Sequence, residues 1–348
     1  MPEMQEVFRL ATQKVRPDPG FVDRQYENQR RQSRRRKAGA LALVAVLVVV
    51  GVVVGISTLR SGDEGKGIPG GSDPTPTATP IPSQFSVPSL VDLQTGGATP
   101  LPKSILDGSL YFTSPDRTMF VIDSCCSTPN PVSVANVDGT GVRQITPDGI
   151  DGFTARWSPD GSMLVYQQRD GGTDEIGNLF VVEVATGEAT QITDLDPVNY
   201  GLWALHPSFS SYGQTIIFHL PRGPKGYVST RWDLWSVPVA GGEPTLVVHN
   251  ASMGVYGPDG GTLAYLDSPK GDWTSSRLML ADVDGSDPRL LVHGDQIEFP
   301  RWSPDGTRIA YSDADGIHVV DVSTGAASLV AEGASSDWFG DDTLVVVP

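Results

Sequence analysis

Trp157-Ser158-Pro159-Asp160-Gly161 returns as Trp302-Ser303-Pro304-Asp305-Gly306. Ser114-Pro115-Asp116, Phe209-Ser210-Ser211-Tyr212-Gly213 and Tyr256-Gly257-Pro258-Asp259-Gly260 are weaker copies, so a unit recurs every 36 to 52 residues. A period of that length marks a repeat architecture. The string itself is turn chemistry. Proline presets φ for the second position of a type I turn, serine suits the first and aspartate the third. Glycine accepts the left-handed conformation that comes next.

Short runs of β-branched and aromatic residues flank each turn. Met163-Leu164-Val165-Tyr166, Thr262-Leu263-Ala264-Tyr265 and Arg308-Ile309-Ala310-Tyr311 follow three of the copies. These runs read as strands, so each copy is a hairpin. A second hairpin comes next: 179–184 and 189–192 about the turn 185–187, 278–283 and 289–292 about 284–286, and 317–322 and 327–330 about 323–325. Four strands per unit predict a propeller blade. Blade-like units cover 103–147, 153–194, 204–248, 253–293 and 298–331, and residues 337–347 supply one further hairpin. Residues 85–93 and 98–101, joined by Gln94-Thr95-Gly96-Gly97, have the form of the missing half. Joining the two would close a sixth blade and remove the open edges of the sheet. The expected fold is therefore all-β, a six-bladed propeller closed by strands from both ends of the domain.

Arg156-Trp157-Ser158-Pro159-Asp160-Gly161, followed by a Val-Asp-type outer hairpin such as Asp321-Val322-Ser323-Thr324-Gly325, resembles the WD40-like repeat of TolB-type β-propellers. The resemblance runs over about residues 85–348. It differs from the WD40 repeat proper in lacking the Gly-His and Trp-Asp marks. Because TolB propellers bind an envelope lipoprotein, the resemblance implies an envelope-binding role. The chain departs from that family in carrying an expected membrane anchor where TolB has a cleaved signal and a further N-terminal domain.

The net charge of −16 hides a division. Residues 1–37 hold ten Lys/Arg against five Asp/Glu, whereas residues 58–348 hold fifteen against thirty-six. Phosphate contacts need cations, so an acidic propeller is not expected to bind nucleic acid. Residues 38–57 are twenty uncharged, mostly apolar residues, which is the length of a bilayer span. Arg30, Arg31, Arg34, Arg35, Arg36 and Lys37 precede it, while Arg60 and Lys66 follow. The positive-inside rule then puts 1–37 in the cytoplasm as a basic segment and the propeller outside. Residues 58–84 are a Pro/Thr/Gly-rich linker before the propeller at 85–348. Prolines extend such a stretch at about 3.1 Å per residue, holding the propeller off the membrane.

Sites of chemistry are few. Gly65, Gly67 and Gly70 match a dinucleotide-binding spacing but follow no strand and lead into prolines. Asp282-Val283-Asp284-Gly285-Ser286-Asp287 lacks the ligand pattern of a calcium loop and occupies an outer hairpin turn. His206, His219, His249, His293 and His318 are scattered, and neither a metal nor a cofactor is expected. No Gly-x-Ser-x-Gly elbow occurs, and an enzyme is not expected. Cys125 and Cys126 are adjacent; outside the cytoplasm they are expected to be an oxidised vicinal pair, with a redox role as the alternative.

Binding is expected instead at the loops that do not repeat. The 221–232 connection carries Arg222, Lys225, Tyr227, Arg231 and Trp232, the cationic and aromatic types favoured at binding hot spots. Trp203 and His206 precede an inner strand, where a propeller's funnel opens. The function expected is non-enzymatic recognition of a protein, peptide or envelope component by an anchored propeller. The alternative is a transmembrane sensor or anti-sigma-like regulator that signals to a cytoplasmic protein through 1–37.

Overall fold

The computed structural model describes residues 86–106, 110–123, 130–169, 177–195, 206–222, 231–267 and 276–348. All lie in one compact unit, Ala78–Pro348. The expected cytoplasmic segment 1–37, membrane span 38–57 and linker 58–84 fall outside the described residues. Among the described residues no helix is long and apolar enough to cross a membrane.

Strands β1 (Ser89–Asp92) and β2 (Ala98–Pro100) open the chain, followed by a single 3-10 turn at Lys103–Ile105. Five four-stranded antiparallel sheets come after it in sequence. The first holds β3 (Leu110–Thr113), β4 (Met119–Asp123), β5 (Val132–Asn136) and β6 (Arg143–Gln144); the second β7 (Asp151–Trp157), β8 (Met163–Arg169), β9 (Leu179–Glu183) and β10 (Ala189–Gln191). The third holds β11 (Ser208–Phe209), β12 (Thr215–Pro221), β13 (Trp232–Pro238) and β14 (Thr245–His249). The fourth holds β15 (Ala251–Tyr256), β16 (Thr262–Asp267), β17 (Ser276–Asp282) and β18 (Arg289–Gly294). The fifth holds β19 (Glu298–Trp302), β20 (Arg308–Asp313), β21 (Gly316–Asp321) and β22 (Ala327–Ala331). The sixth sheet joins both ends in the order β2-β1-β24-β23, with β23 (Ser335–Gly340) and β24 (Thr343–Val347). Ser89 pairs with Val346 and Asp92 with Thr343, so the expected closure is present. First strands of successive sheets touch around the circle, and β23 touches β3. The fold is a six-bladed all-β propeller.

The core lies between blades rather than within one. Phe112, Val121 and Val134 of the first blade pack on Leu164, Tyr166 and Val182 of the second. Ile217 and Leu234 meet Leu263 and Tyr265 between the third and fourth. Middle strands are covered on both faces, which explains their near-continuous apolar runs, such as Leu164-Val165-Tyr166. Each side chain so buried contributes about 1.5–3 kcal/mol. The outermost strands β2 and β10 are exposed at every residue.

The repeated string forms the turn between a blade's first two strands. Ser158 Oγ donates to Asp160 Oδ1 at 2.6 Å and accepts from Met163 N at 2.9 Å, while Gly161 sits at φ 72°. Ser303 and Asp305 repeat these contacts, as do Ser114 and Asp116, where Arg117 takes the left-handed position at φ 62°. The tryptophan before the turn ties one blade to the last: Trp157 Nε1 donates to Phe112 O, Trp302 Nε1 to Val255 O and Trp338 Nε1 to Arg301 O. Alternating strand directions place these turns at one end of the ring. The C-terminal ends of β4, β8, β12, β16 and β20 lie at the other.

Candidate functional site

Four residues before each turn the first strand departs from extended geometry. Thr154, His206, Met253 and Phe299 occupy this position in blades two to five, with φ of 53°, 42°, 50° and 52°. Ladder register slips across it in β7, β15 and β19, which marks a bulge. The preceding blade holds the freed backbone. Asp123 Oδ2 accepts from Thr154 N at 2.5 Å, His219 Nδ1 from Met253 N at 3.1 Å, and Met253 Sδ from Phe299 N at 3.3 Å. Left-handed geometry in non-glycine residues costs about 1–3 kcal/mol, and the bulge re-aims the side chains after it.

The side chain two residues before the turn therefore points into the ring. The position holds Phe112, Arg156, Ser208, Val255 and Arg301 in blades one to five, and Asp337 precedes Trp338 in the sixth as Arg156 precedes Trp157. Arg156 Cζ lies 3.5 Å from the centroid of the Phe112 ring, and Arg301 Cζ, from the far side of the circle, lies 5.3 Å from it. Two guanidiniums thus converge on one aromatic ring, an arrangement that cation–π attraction favours. Arg156 Nη1 donates to Ala155 O and Arg301 Nη1 to Pro300 O, both at 2.8 Å. Arg301 Nε is buried with no hydrogen-bond partner among the described residues.

Two buried carboxyls, Asp337 and Asp123, stand against the two guanidiniums. Burial, and after it the neighbouring Arg301, pull Arg156 well below the usual arginine range, against the carboxylates of Asp337 and Asp123. Arg301 is likewise lowered by burial, with Asp337 opposing. Asp337 Oδ2 accepts from Thr113 N at 2.8 Å, but burial raises its carboxyl above the usual value despite Arg301. Burial also raises Asp123, against hydrogen bonds from Asn130 and Thr154. Burial thus raises both carboxyls while the neighbouring guanidiniums oppose the shift.

A small recess opens beside this cluster, with about 10 Å³ of cavity space, room for a single water. Arg156, Arg301, His206, Met253, Val255 and Phe299 line it, with the backbone of Pro207 and Gly254. The His206 ring stacks on His219 at 5.2 Å and meets Phe299 at 5.6 Å. His219 Nδ1 accepts a backbone N–H, so its proton sits on Nε2. Burial, then His219, Arg156 and Arg301, hold His206 far below the usual histidine range, and the ring is neutral. Its Nδ1 is buried without a partner among the described residues.

Of the residues expected at the binding face, His206 lies in this recess. Arg222 follows β12 and pairs with the buried Asp233, its Nε 3.0 Å from Oδ2, with His249 Nδ1 3.2 Å from the same carboxylate. Arg231 is exposed, and its carbonyl accepts from Arg222 N at 2.7 Å. Trp232 is the first residue of β13, only 5% exposed, and meets the His219 ring edge-on at 4.7 Å. It supports the recess from behind instead of presenting an open face. Lys225, Tyr227, Trp203, Cys125 and Cys126 fall outside the described residues. No group of three or more His, Cys, Asp or Glu suited to a metal occurs among the described residues. Arg156 and Arg301 were visible in the sequence as part of the repeat; only the ring geometry shows that blades two and five bring them together.

No family model matches the chain. It is 25% identical over 223 residues to an uncharacterized protein of Agrobacterium fabrum, covering 59% of this chain and 66% of that one. It is 34% identical over 90 residues to the Tol-Pal system protein TolB of Xanthomonas oryzae pv. oryzae, covering 24% of this chain and 20% of TolB. The matched segments thus span less than two thirds of either relative. Among solved structures, TolB of Acinetobacter baumannii superposes with a TM-score of 0.50 at 17% identity over 70% of this chain and 56% of that one. A TolB structure from Agrobacterium tumefaciens gives 0.55 at 16% identity, over 75% and 98%. The fold of this chain is that of a TolB-like six-bladed propeller.

Proposed function

We propose that the chain is a non-enzymatic binding module of the cell envelope, anchored in the membrane through 38–57, with the propeller outside and 1–37 in the cytoplasm. Its ligand is a protein, peptide or envelope component that docks on the face where the connections after β4, β8, β12, β16 and β20 gather. The observation that carries this reading is the small recess in the channel, where Arg301 Nε and His206 Nδ1 have no hydrogen-bond partner among the described residues. Buried polar groups ordinarily find partners, and exceptions concentrate where a ligand completes them. The likeness to TolB supports the envelope setting.

Two measurements on the full-length chain in cells test it. A tag after Pro348 is expected to be reachable by antibody on intact cells from which any outer layer has been permeabilised, and a tag before Met1 is not; the reverse pattern overturns the topology. A photo-crosslinking amino acid at Arg231 is expected to give discrete adducts, while the same group at Asp160 or Asp305, on the turn face, gives none. Equal adducts from both faces would remove the binding face.

A further inference from the structure

Each blade ends in an outer strand whose far side pairs with no other strand among the described residues. Such an edge offers unpaired backbone groups to any passing strand, and proteins blunt it with shortness, proline or charge. Among the six outer strands, five carry such a device. β2 ends on Pro100, β6 is two residues long and holds Arg143, and β10 is three residues long and follows Glu188. β14 follows Glu243-Pro244 and ends on His249, while β18 follows Pro288, begins on Arg289 and holds His293. β22 has none of these. From Gly325 to Ala331 the chain reads Gly-Ala-Ala-Ser-Leu-Val-Ala, with neither charge nor proline. Ala327, Ser328 and Leu329 are exposed, Leu329 at 50%. Val319 of β21 lies opposite Ser328, and two places along the ladder Asp321 N donates to Ala326 O. Alternation along an antiparallel ladder therefore commits the backbone of Ser328 to β21 and turns the N–H and C=O groups of Ala327 and Leu329 outward.

We infer that β22 pairs antiparallel with β22 of a second copy of this chain, joining two fifth blades into one eight-stranded sheet about a two-fold axis at Ser328. The inference does not depend on the loop face being the binding face. In this register Ala327 lies opposite Leu329 of the partner subunit and exchanges both backbone bonds with it, twice over by symmetry. Ser328 meets its own copy in a closely spaced pair. Charge selects a second copy over a basic partner. Residues 58–348 hold fifteen Lys/Arg against thirty-six Asp/Glu, so two copies repel over most of their surface. A neutral strand is where that repulsion is least, and its self-pairing sets no like charges opposite one another. A basic partner would be held by the acidic surface at large and would gain nothing from a neutral edge. The two-fold pair uses up both edges, so association stops at the dimer. A single strand pair is small beside the roughly 1,200–2,000 Å² of a stable interface, so the dimer is weak and the chain is monomeric when dilute.

Cysteine trapping in the full-length chain tests the register. Ser328→Cys is combined with Cys125→Ser and Cys126→Ser and oxidised with copper phenanthroline in detergent, at a series of protein concentrations. The Cα spacing of about 4.5 Å in a non-hydrogen-bonded antiparallel pair lies within reach of a disulfide. The expected product is a disulfide-linked dimer that forms at least tenfold faster than from Thr190→Cys on β10 or Leu290→Cys on β18, in the same background. Adding Ala327→Lys and Leu329→Lys sets like charges opposite each other across the axis and is expected to slow trapping at least tenfold, with the melting temperature unchanged because both side chains are exposed. Mixing this chain with one carrying Ala327→Glu and Leu329→Glu is expected to restore trapping, now between unlike chains. The pairing is overturned if Ser328→Cys traps no faster than the two controls, if the lysines leave trapping intact, if the lysine and glutamate chains fail to trap each other, or if Ser328→Cys oxidised in cells links chiefly to a different protein.

Discussion

Ser158 is 1% exposed, and its hydroxyl both donates to a carboxylate and accepts a backbone N–H. The Asp160 carboxyl is held below its usual 3.8, first by Ser158 and then by the backbone and side chain of Ser162. An acid whose folded value lies below the unfolded one stabilises the fold above the unfolded value and loses that contribution as pH falls through the folded one. Ser158→Ala leaves Met163 N without its acceptor and is expected to cost about 1–2 kcal/mol at pH 7. Urea midpoints at pH 7 and in a series descending below pH 3.8 check this, because the gap between wild type and variant should narrow as Asp160 takes up its proton. A gap unchanged across that range would show the bond to be independent of the charge. Asp116, lowered first by Ser114, and Asp321, lowered to about 2 first by Ser323, give other turns the same acid sensitivity.

At the scale of the strand, the informative feature is the bulge. Thr154 is a β-branched residue in a conformation that such residues avoid, yet Asp123 holds its N–H from the neighbouring blade. Thr154→Gly keeps that bond and relieves the strain, while giving the unfolded chain more freedom to lose. Its stability is therefore expected within about 1 kcal/mol of wild type. Asp123→Ala leaves Thr154 N and one N–H of the Asn130 amide unanswered in a buried position and is expected to cost about 2–4 kcal/mol. Thermal melts of the two variants separate these outcomes, and a Thr154→Gly loss as large as that of Asp123→Ala would refute the strain argument. The hairpins were legible in the sequence because serine, proline, aspartate and glycine each carry a turn preference. The bulges were not, because Thr154, His206, Met253 and Phe299 share no chemistry; the preceding blade imposes their conformation. Arg156 and Arg301 were hidden for the same reason, since the bulge decides where they point. Trp232 shows the opposite case: its type suggested a binding loop, but β13 begins there and buries it against His219.

For the whole molecule, the sixth sheet decides whether there is a ring at all. β24 is hydrogen-bonded to β23 on one side and to β1 on the other, so the two ends of the propeller share one blade. Val91, Leu344, Val345 and Val346 are fully buried there, and Val345 packs on the first blade with Tyr111 and Phe120. This closure was readable in the sequence from two half-blades at opposite ends; the meeting of Arg156 and Arg301 at the Phe112 ring, which depends on distances across the ring of blades, was not. Deleting residues 86–101 removes β1 and β2 and leaves β24 with an unpaired, apolar edge. Each buried side chain is worth about 1.5–3 kcal/mol, so exposing even two costs a large part of a typical domain's stability. Open edges of this kind recruit strands from other molecules. The deletion variant is therefore expected to elute as oligomers in size-exclusion chromatography and to return toward monomer when a peptide of residues 86–101 is added in excess. If the variant stays monomeric with an unchanged melting temperature, the ring does not depend on its shared blade.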